Sequence, residues 1–129
     1  MSRIPSTNTK PEALVRKYLF ARGLRYRKND RRYPGNPDIV LPKYHTVVFV
    51  HGCFWHYHAN CPFFVMPKSN VDFWKAKLVY NRSRDKTNIE KLRAARWRVI
   101  IVWECEIKKP VREERLARLY QEIMCAADG

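Results

Sequence analysis

Nine consecutive residues, Cys53-Phe54-Trp55-His56-Tyr57-His58-Ala59-Asn60-Cys61, crowd two thiols and two imidazoles into one short loop around Phe54 and Trp55. The loop follows the apolar run Thr46-Val47-Val48-Phe49-Val50 and His51, and a third thiol, Cys105, lies far downstream after Ile101-Val102-Trp103-Glu104. Thiolate and imidazole together are the ligand set of zinc. Cys53, His58 and Cys61 with Cys105 make a closed Cys3His set. Four protein ligands leave no open coordination position, so such a zinc is structural and staples a loop with little apolar mass of its own. His56 competes with His58 for the fourth position. Whichever imidazole is left over is free for chemistry.

The chain has 129 residues and 46% hydrophobic content, enough for one domain with a packed interior. Lys and Arg number 26 against 12 Asp and Glu, a net charge of +14. So large an excess repels itself unless a polyanion binds, and nucleic acid is the commonest polyanion. A membrane surface fits less well, because no basic amphipathic segment with a broad apolar face stands out. The polar start Met1-Ser2-Arg3-Ile4-Pro5 shows neither a signal peptide nor a spanning segment. An intracellular, reducing setting is therefore expected, where thiols mixed with histidine favour metal over disulfides. Cys125 reads as a small buried hydrophobe in the last helix.

Residues 1–9 read as a polar arm. Thr9-Lys10-Pro11-Glu12 carries a helix-start pattern, with Thr9 as cap, and Gly23 a helix stop, which predicts a helix over about 10–22. Arg25 to Arg32 is basic and turn-rich, and Pro34-Gly35-Asn36-Pro37 is a tight loop. Asp38–Leu41 predicts a short strand. Thr46–Val50 predicts a central strand covered on both faces. Phe73 to Arg96 predicts a long helical stretch, one helix or two, with Trp74, Leu78, Ile89 and Leu92 on its apolar face. Arg98–Trp103 is a further strand. Residues 111–125 predict a helix with Leu116, Leu119, Tyr120 and Ile123 on one side. The order implies an α/β domain with a mixed sheet flanked by helices.

Asp38 heads a strand beside which the Val50–His51 backbone is expected to run. A carboxylate with a backbone carbonyl is a partial cage for Mg²⁺, although an aspartate after proline is also an ordinary turn residue. His51, His56 and Glu12 are the remaining titratable candidates, and a neutral imidazole can take a proton from water near pH 7. Phe54, Trp55 and Trp74 either pack as core or stand ready to wedge between base steps. Taken alone, Trp55 leans toward core. Basic groups in Arg25-Tyr26-Arg27-Lys28, Arg31-Arg32 and Asn81-Arg82-Ser83-Arg84-Asp85-Lys86 suit phosphates without reading sequence.

Several of these strings coincide with one family. Pro34-Gly35-Asn36-Pro37-Asp38-Ile39-Val40, Val48-Phe49-Val50-His51-Gly52-Cys53-Phe54-Trp55-His56, Phe73-Trp74, Asn81 through Asp85, and Trp97 through Cys105 resemble the very-short-patch repair (Vsr) endonucleases from about Thr9 to Ile107. The resemblance implies a restriction-endonuclease-like fold. It implies Mg²⁺-dependent nicking 5′ of the thymine in a T·G mismatch, the product of 5-methylcytosine deamination. By motif, Asp38 is the metal carboxylate, Val50 offers its carbonyl, His56 is the general base, and His51 and Glu12 order water around the metal. Cys53, His58, Cys61 and Cys105 hold structural zinc, and Phe54, Trp55 and Trp74 form the wedge. A monomer acting in the bacterial cytoplasm at the nucleoid, with mismatch-repair proteins as further partners, completes the expectation. The Arg-Ser-x-Asn-Met arm usual in the family is absent here, and so is the Asp/Glu-x-Lys half-motif after Thr46–Val50 of other nucleases of this superfold. Two other readings remain: a zinc-stapled DNA-binding module without catalysis, and a nuclease of this fold with another DNA target.

Overall fold

The structure is a computed structural model that describes residues 10–28, 31–59, 61–62, 64–108 and 110–128. The expected arm over residues 1–9, and Thr9 as a cap, lie outside the described residues. In chain order the elements are α1 (Lys10–Ala21), β1 (Arg27–Lys28), β2 (Ile39–Leu41), β3 (Thr46–His51), α2 (Val71–Ala94), β4 (Arg98–Trp103) and α3 (Arg112–Asp128). Short 3-10 turns span Pro42–Tyr44 and Glu104–Ile107. The strands form one mixed sheet in the order β1-β2-β3-β4. The β1–β2 and β2–β3 pairs are antiparallel, and β3 pairs with β4 in parallel.

Alternation along the strands builds two cores, because successive strand side chains point to opposite faces. Ile39, Leu41, Val48, Val50, Ile100 and Val102 face one way and pack with Val15 and Leu19 of α1 and Leu116, Leu119 and Ile123 of α3. Val40, Val47 and Phe49 face the other way and pack with Leu92 of α2, with Ile89, Trp97, Val99 and Ile101 beside them. All six residues of β3 are buried, as a strand sandwiched between helical layers requires. Each fully buried Val, Leu or Ile contributes about 1.5–3 kcal/mol.

The helix ends follow from local chemistry. Gly23 takes φ +86°, its N–H donates to the Phe20 carbonyl, and the Leu24 N–H donates to the Leu19 carbonyl, closing α1 one residue earlier than expected. The stretch expected as one helix or two is one helix, α2. It ends with Arg96 in the left-handed region, where the Trp97 N–H reaches back to the Leu92 carbonyl at 3.0 Å. The basic segment expected as turns contributes β1, which pairs Arg27 with Val40 and Lys28 with Ile39.

Cys125 is exposed, not buried. The apolar stripe of α3 runs through Leu116, Leu119 and Ile123, and residue 125 rotates off it at 100° per residue.

Gly35 holds the loop before β2 against the body of the protein. Its φ is +80°, and a Cβ there would sit 3.1 Å from the Phe49 ring and 3.2 Å from Asn88 Cβ. Glycine takes this conformation without strain and leaves the Phe49 ring and Asn88 room to pack against it. The loop then delivers Asp38 beside the end of β3.

Candidate active site and metal centre

The parallel pairing of β3 and β4 sets His51 opposite Trp103. The chain beyond both strands therefore emerges at the same edge, with Cys53 on one side and the Glu104–Ile107 turn carrying Cys105 on the other. The loop after β3 is coiled by its own backbone. His56 N–H donates to Gly52, Tyr57 N–H to Phe54 and His58 N–H to Cys53, at 3.0–3.2 Å. That winding turns His58 back toward Cys53. One donor atom from each of Cys53, His58, Cys61 and Cys105 lies within 4.8 Å of the others, and Cys105 Sγ is 3.6 Å from His58 Nδ1. His58, not His56, stands in this group. Burial pushes the Cys105 thiol up to about 12, with the Cys53 and Cys61 thiols pushing the same way, and burial likewise raises Cys53. Thiols so held resist ionising until a cation enters and releases their protons. The donor set fits a tetrahedral metal ion.

His56 belongs to a second group. Its Nδ1 lies 2.5 Å from Asp85 Oδ2, on the face of α2 turned toward the loop. One turn earlier on α2, Asn81 Nδ2 donates to the Trp55 carbonyl at 3.1 Å and fixes the loop on the helix. His51 is buried, and its ring stacks on that of His56 with centroids 3.8 Å apart and planes 2° from parallel. Burial first, and the neighbouring His56 second, lower His51 to about 3, so it stays neutral.

Asp38 meets the same cleft from β2. The Val50 N–H donates to Asp38 Oδ2 at 2.6 Å, so the carboxylate lies along the β3 backbone as expected. Burial raises Asp38 to about 7. The Val50 N–H opposes that shift, the Glu12 carboxylate adds to it, and Arg16 and His56 draw it down. Glu12 is itself held by Arg16 at 3.0 Å. Two carboxylates that repel one another in a half-buried cleft fit a cation between them. Glu12, Asp38, Val50, His51, His56 and Asp85 share a cleft of about 400 Å³. A neighbouring cleft of about 480 Å³ runs from His56 to Trp55 and Glu104, and a third, of about 530 Å³, runs from His56 along α2 past Arg82, Lys86 and Arg93.

Phe54, Trp55 and Trp74 form one aromatic cluster, with centroids 5.0–5.9 Å apart. Trp55 is 51% exposed, which overturns its reading as core, while Phe54 and Trp74 are half-buried. Every site residue expected from the sequence thus falls at one end of the sheet. Reading the residues alone missed Asp85 as the partner of His56 and Asn81 as the anchor of the loop. Both were read only as parts of a phosphate-binding run. Their one available signal is the i,i+4 spacing, which puts them on one face of α2.

Residues 1–63 match the family model described as DNA mismatch endonuclease Vsr. The chain is 56% identical over 124 residues to type II nicking enzyme V.NmeAIP of Neisseria meningitidis serogroup A, covering 95% of this chain and 88% of that protein. It is 46% identical over 107 residues to type II nicking enzyme V.XorIIP of Xanthomonas oryzae pv. oryzae, covering 83% of this chain and 78% of the relative. It is 37% identical over 127 residues to DNA mismatch endonuclease Vsr of Escherichia coli K12, covering 97% and 81%. The mixed four-stranded sheet flanked by three helices agrees with the restriction-endonuclease-like fold that the resemblance implied. With a site assembled from the same strings that carried the resemblance, the chain belongs to the Vsr family and is a DNA endonuclease.

Proposed function

We propose that this endonuclease nicks duplex DNA 5′ of the thymine in a T·G mismatch by Mg²⁺-dependent hydrolysis. The observation that carries the reading is the His56–Asp85 pair, set in the cleft that also holds Asp38 and Glu12. With Asp85 accepting from Nδ1, the Nε2 of His56 is left to take a proton from the attacking water, and Asp85 stabilises the imidazolium that forms. A non-catalytic binding module has no use for such a pair. Asp38 and the Val50 carbonyl would hold the magnesium ion, and Glu12 and His51 border it. Bound there, Mg²⁺ supplies positive charge to the phosphate oxygens and the leaving oxygen. Zinc on Cys53, His58, Cys61 and Cys105 is the structural staple. It fixes the base of the loop whose Phe54 and Trp55, with Trp74, unstack the mismatch, where a wobble pair yields more easily than a matched one.

The exposed basic residues of α2, among them Lys75, Lys77, Arg82 and Arg84, bind phosphates. Among the described residues no helix is long and apolar enough to cross a membrane. The relatives are bacterial, and a DNA target implies action at the nucleoid in the cytoplasm.

The test is nicking of T·G, matched and other mismatched duplexes, each with Mg²⁺ and with EDTA. Strand-specific nicking of the T·G duplex in Mg²⁺ alone is expected. Equal cutting of the matched duplex would replace this target with another, and undiminished cutting in EDTA would remove magnesium from the reaction.

A further inference from the structure

His51, His56 and Asp85 hold an arrangement that base catalysis does not require. A ring nitrogen of each imidazole and a carboxylate oxygen of Asp85 lie within 4.8 Å of one another. His51 is 4% exposed, and its buried Nδ1 has no hydrogen-bond partner among the described residues. A buried polar atom left without a partner costs about 1–3 kcal/mol, so a ligand that satisfies it is favoured. Both the cleft holding Asp38 and the cleft along α2 are lined by His51, His56 and Asp85, which gives an ion two ways in.

We propose that His51, His56 and Asp85 form a second divalent-metal site, selective for Zn²⁺ over Mg²⁺, and that filling it arrests nicking. The donor chemistry separates the two ions. Asp38, Glu12 and the Val50 carbonyl offer only oxygen, the preference of magnesium. Two imidazoles and one carboxylate suit zinc and its first-row neighbours, and three protein ligands leave a position open to water.

The ion takes the place of the proton between His56 Nδ1 and Asp85, and that proton passes through solvent to Nε2, so the ring stays neutral as the metal–nitrogen bond forms. The stacked rings of His51 and His56 must splay for both nitrogens to converge on one ion, which binding energy has to offset. The binding of the ion stands independently of the proposed base role of His56. The arrest of nicking rests on that role, because the captured pair can no longer take a proton.

The experiment is a zinc titration of the full chain with its structural site filled, read by calorimetry and by metal content after gel filtration. One further equivalent of Zn²⁺ is expected in the wild type and in Asp38→Asn. It is expected to be lost in His51→Gln and in Asp85→Asn while the first equivalent stays, which also shows that these variants fold. His56→Gln serves as a third variant should either of them lose the first equivalent. No second equivalent in the wild type, or one that survives in His51→Gln and Asp85→Asn alike, overturns the site. Nicking at fixed Mg²⁺ should fall by about a hundredfold or more as the second ion loads, the scale of losing a general base. A second ion that binds and leaves nicking unchanged overturns the arrest and leaves the site standing.

Discussion

At Asp38 the proposed metal-holding role and the stability of the fold pull in opposite directions. Its carboxyl is raised from 3.8 to about 7, chiefly by burial. The fold therefore prefers the protonated form. The stability contributed by that form is complete below pH 4 and is lost as pH rises through about 7. Asp38→Asn removes the charge yet keeps an oxygen for the Val50 N–H, so it should stabilise the metal-free protein at pH 8 by about 1–3 kcal/mol. The gain should vanish near pH 4, and nicking should be abolished. Thermal melts at both pH values check the first part, and a variant no more stable than wild type at pH 8 would contradict it. Asp85→Asn tests the neighbouring pair. It leaves the shape of the site but can donate to His56 Nδ1 and so favour the wrong tautomer. Turnover should drop about 10²–10⁴-fold, with DNA affinity nearly unchanged. Loss of affinity in step with turnover would mean that Asp85 positions the loop instead.

The Glu104–Ile107 turn carries Cys105, and α3 holds that turn in place. Glu106 Oε1 accepts from the Trp103 N–H at 3.0 Å and from Arg115 Nε at 3.1 Å, and Arg115 also reaches the Ile101 carbonyl and Glu122 at 3.3 Å. Arg112 adds a bond to the Ile107 carbonyl at 2.9 Å. Arg115 is 6% exposed, so these partners have little water to replace it. Arg115→Met should cost about 1–3 kcal/mol and quicken loss of metal from the Cys105 site to a chelator. Wild-type stability and wild-type metal release in that variant would show that the turn stands alone. This network was not legible in the sequence, because its members carry ordinary charged-helix spacing and their meeting depends on how α3 docks. The elements themselves were legible where periodicity is strong. β3 and β4 are continuous apolar runs, and α3 shows a clear stripe. β1 has only two residues and no period to read. α2 left one helix or two open because Phe73, Val79 and Tyr80 break its stripe by lying exposed. The Cys/His group was legible because Cys53, His58 and Cys61, scarce donor residues, stand at ligand spacing in one loop, while the arrival of Cys105 beside them depends on the parallel pairing of β3 and β4. The His56–Asp85 contact joins residues 29 apart, and only the fold shows it.

At the scale of the whole molecule, the proposed function places affinity and selectivity on different parts of the surface. Lys and Arg are dense along α2 and in the chain around β1, whereas the aromatic cluster of Phe54, Trp55 and Trp74 lies where the loop after β3 meets the start of α2. Phosphate contacts release counterions alike from any duplex, so binding to T·G and matched DNA should weaken in parallel as salt rises. With roughly 6–10 such contacts the loss is about 10³–10⁵-fold over a fourfold rise in salt. If the proposed wedge provides the preference, the ratio between the two affinities should stay constant, because stacking against an unstacked mismatch releases no counterions. Trp55 is the exposed member of the cluster, and its carbonyl, not its ring, accepts from Asn81, so Trp55→Ala leaves the loop anchored. That variant should lose about 1–3 kcal/mol of T·G preference, the usual worth of one base–aromatic stack. Its salt slope should match that of wild type. Fluorescence anisotropy with both duplexes across a salt series measures the two quantities together. A Trp55→Ala protein with full T·G preference would move recognition away from the loop, and one with a shallower salt slope would mean that the loop also carries phosphate contacts.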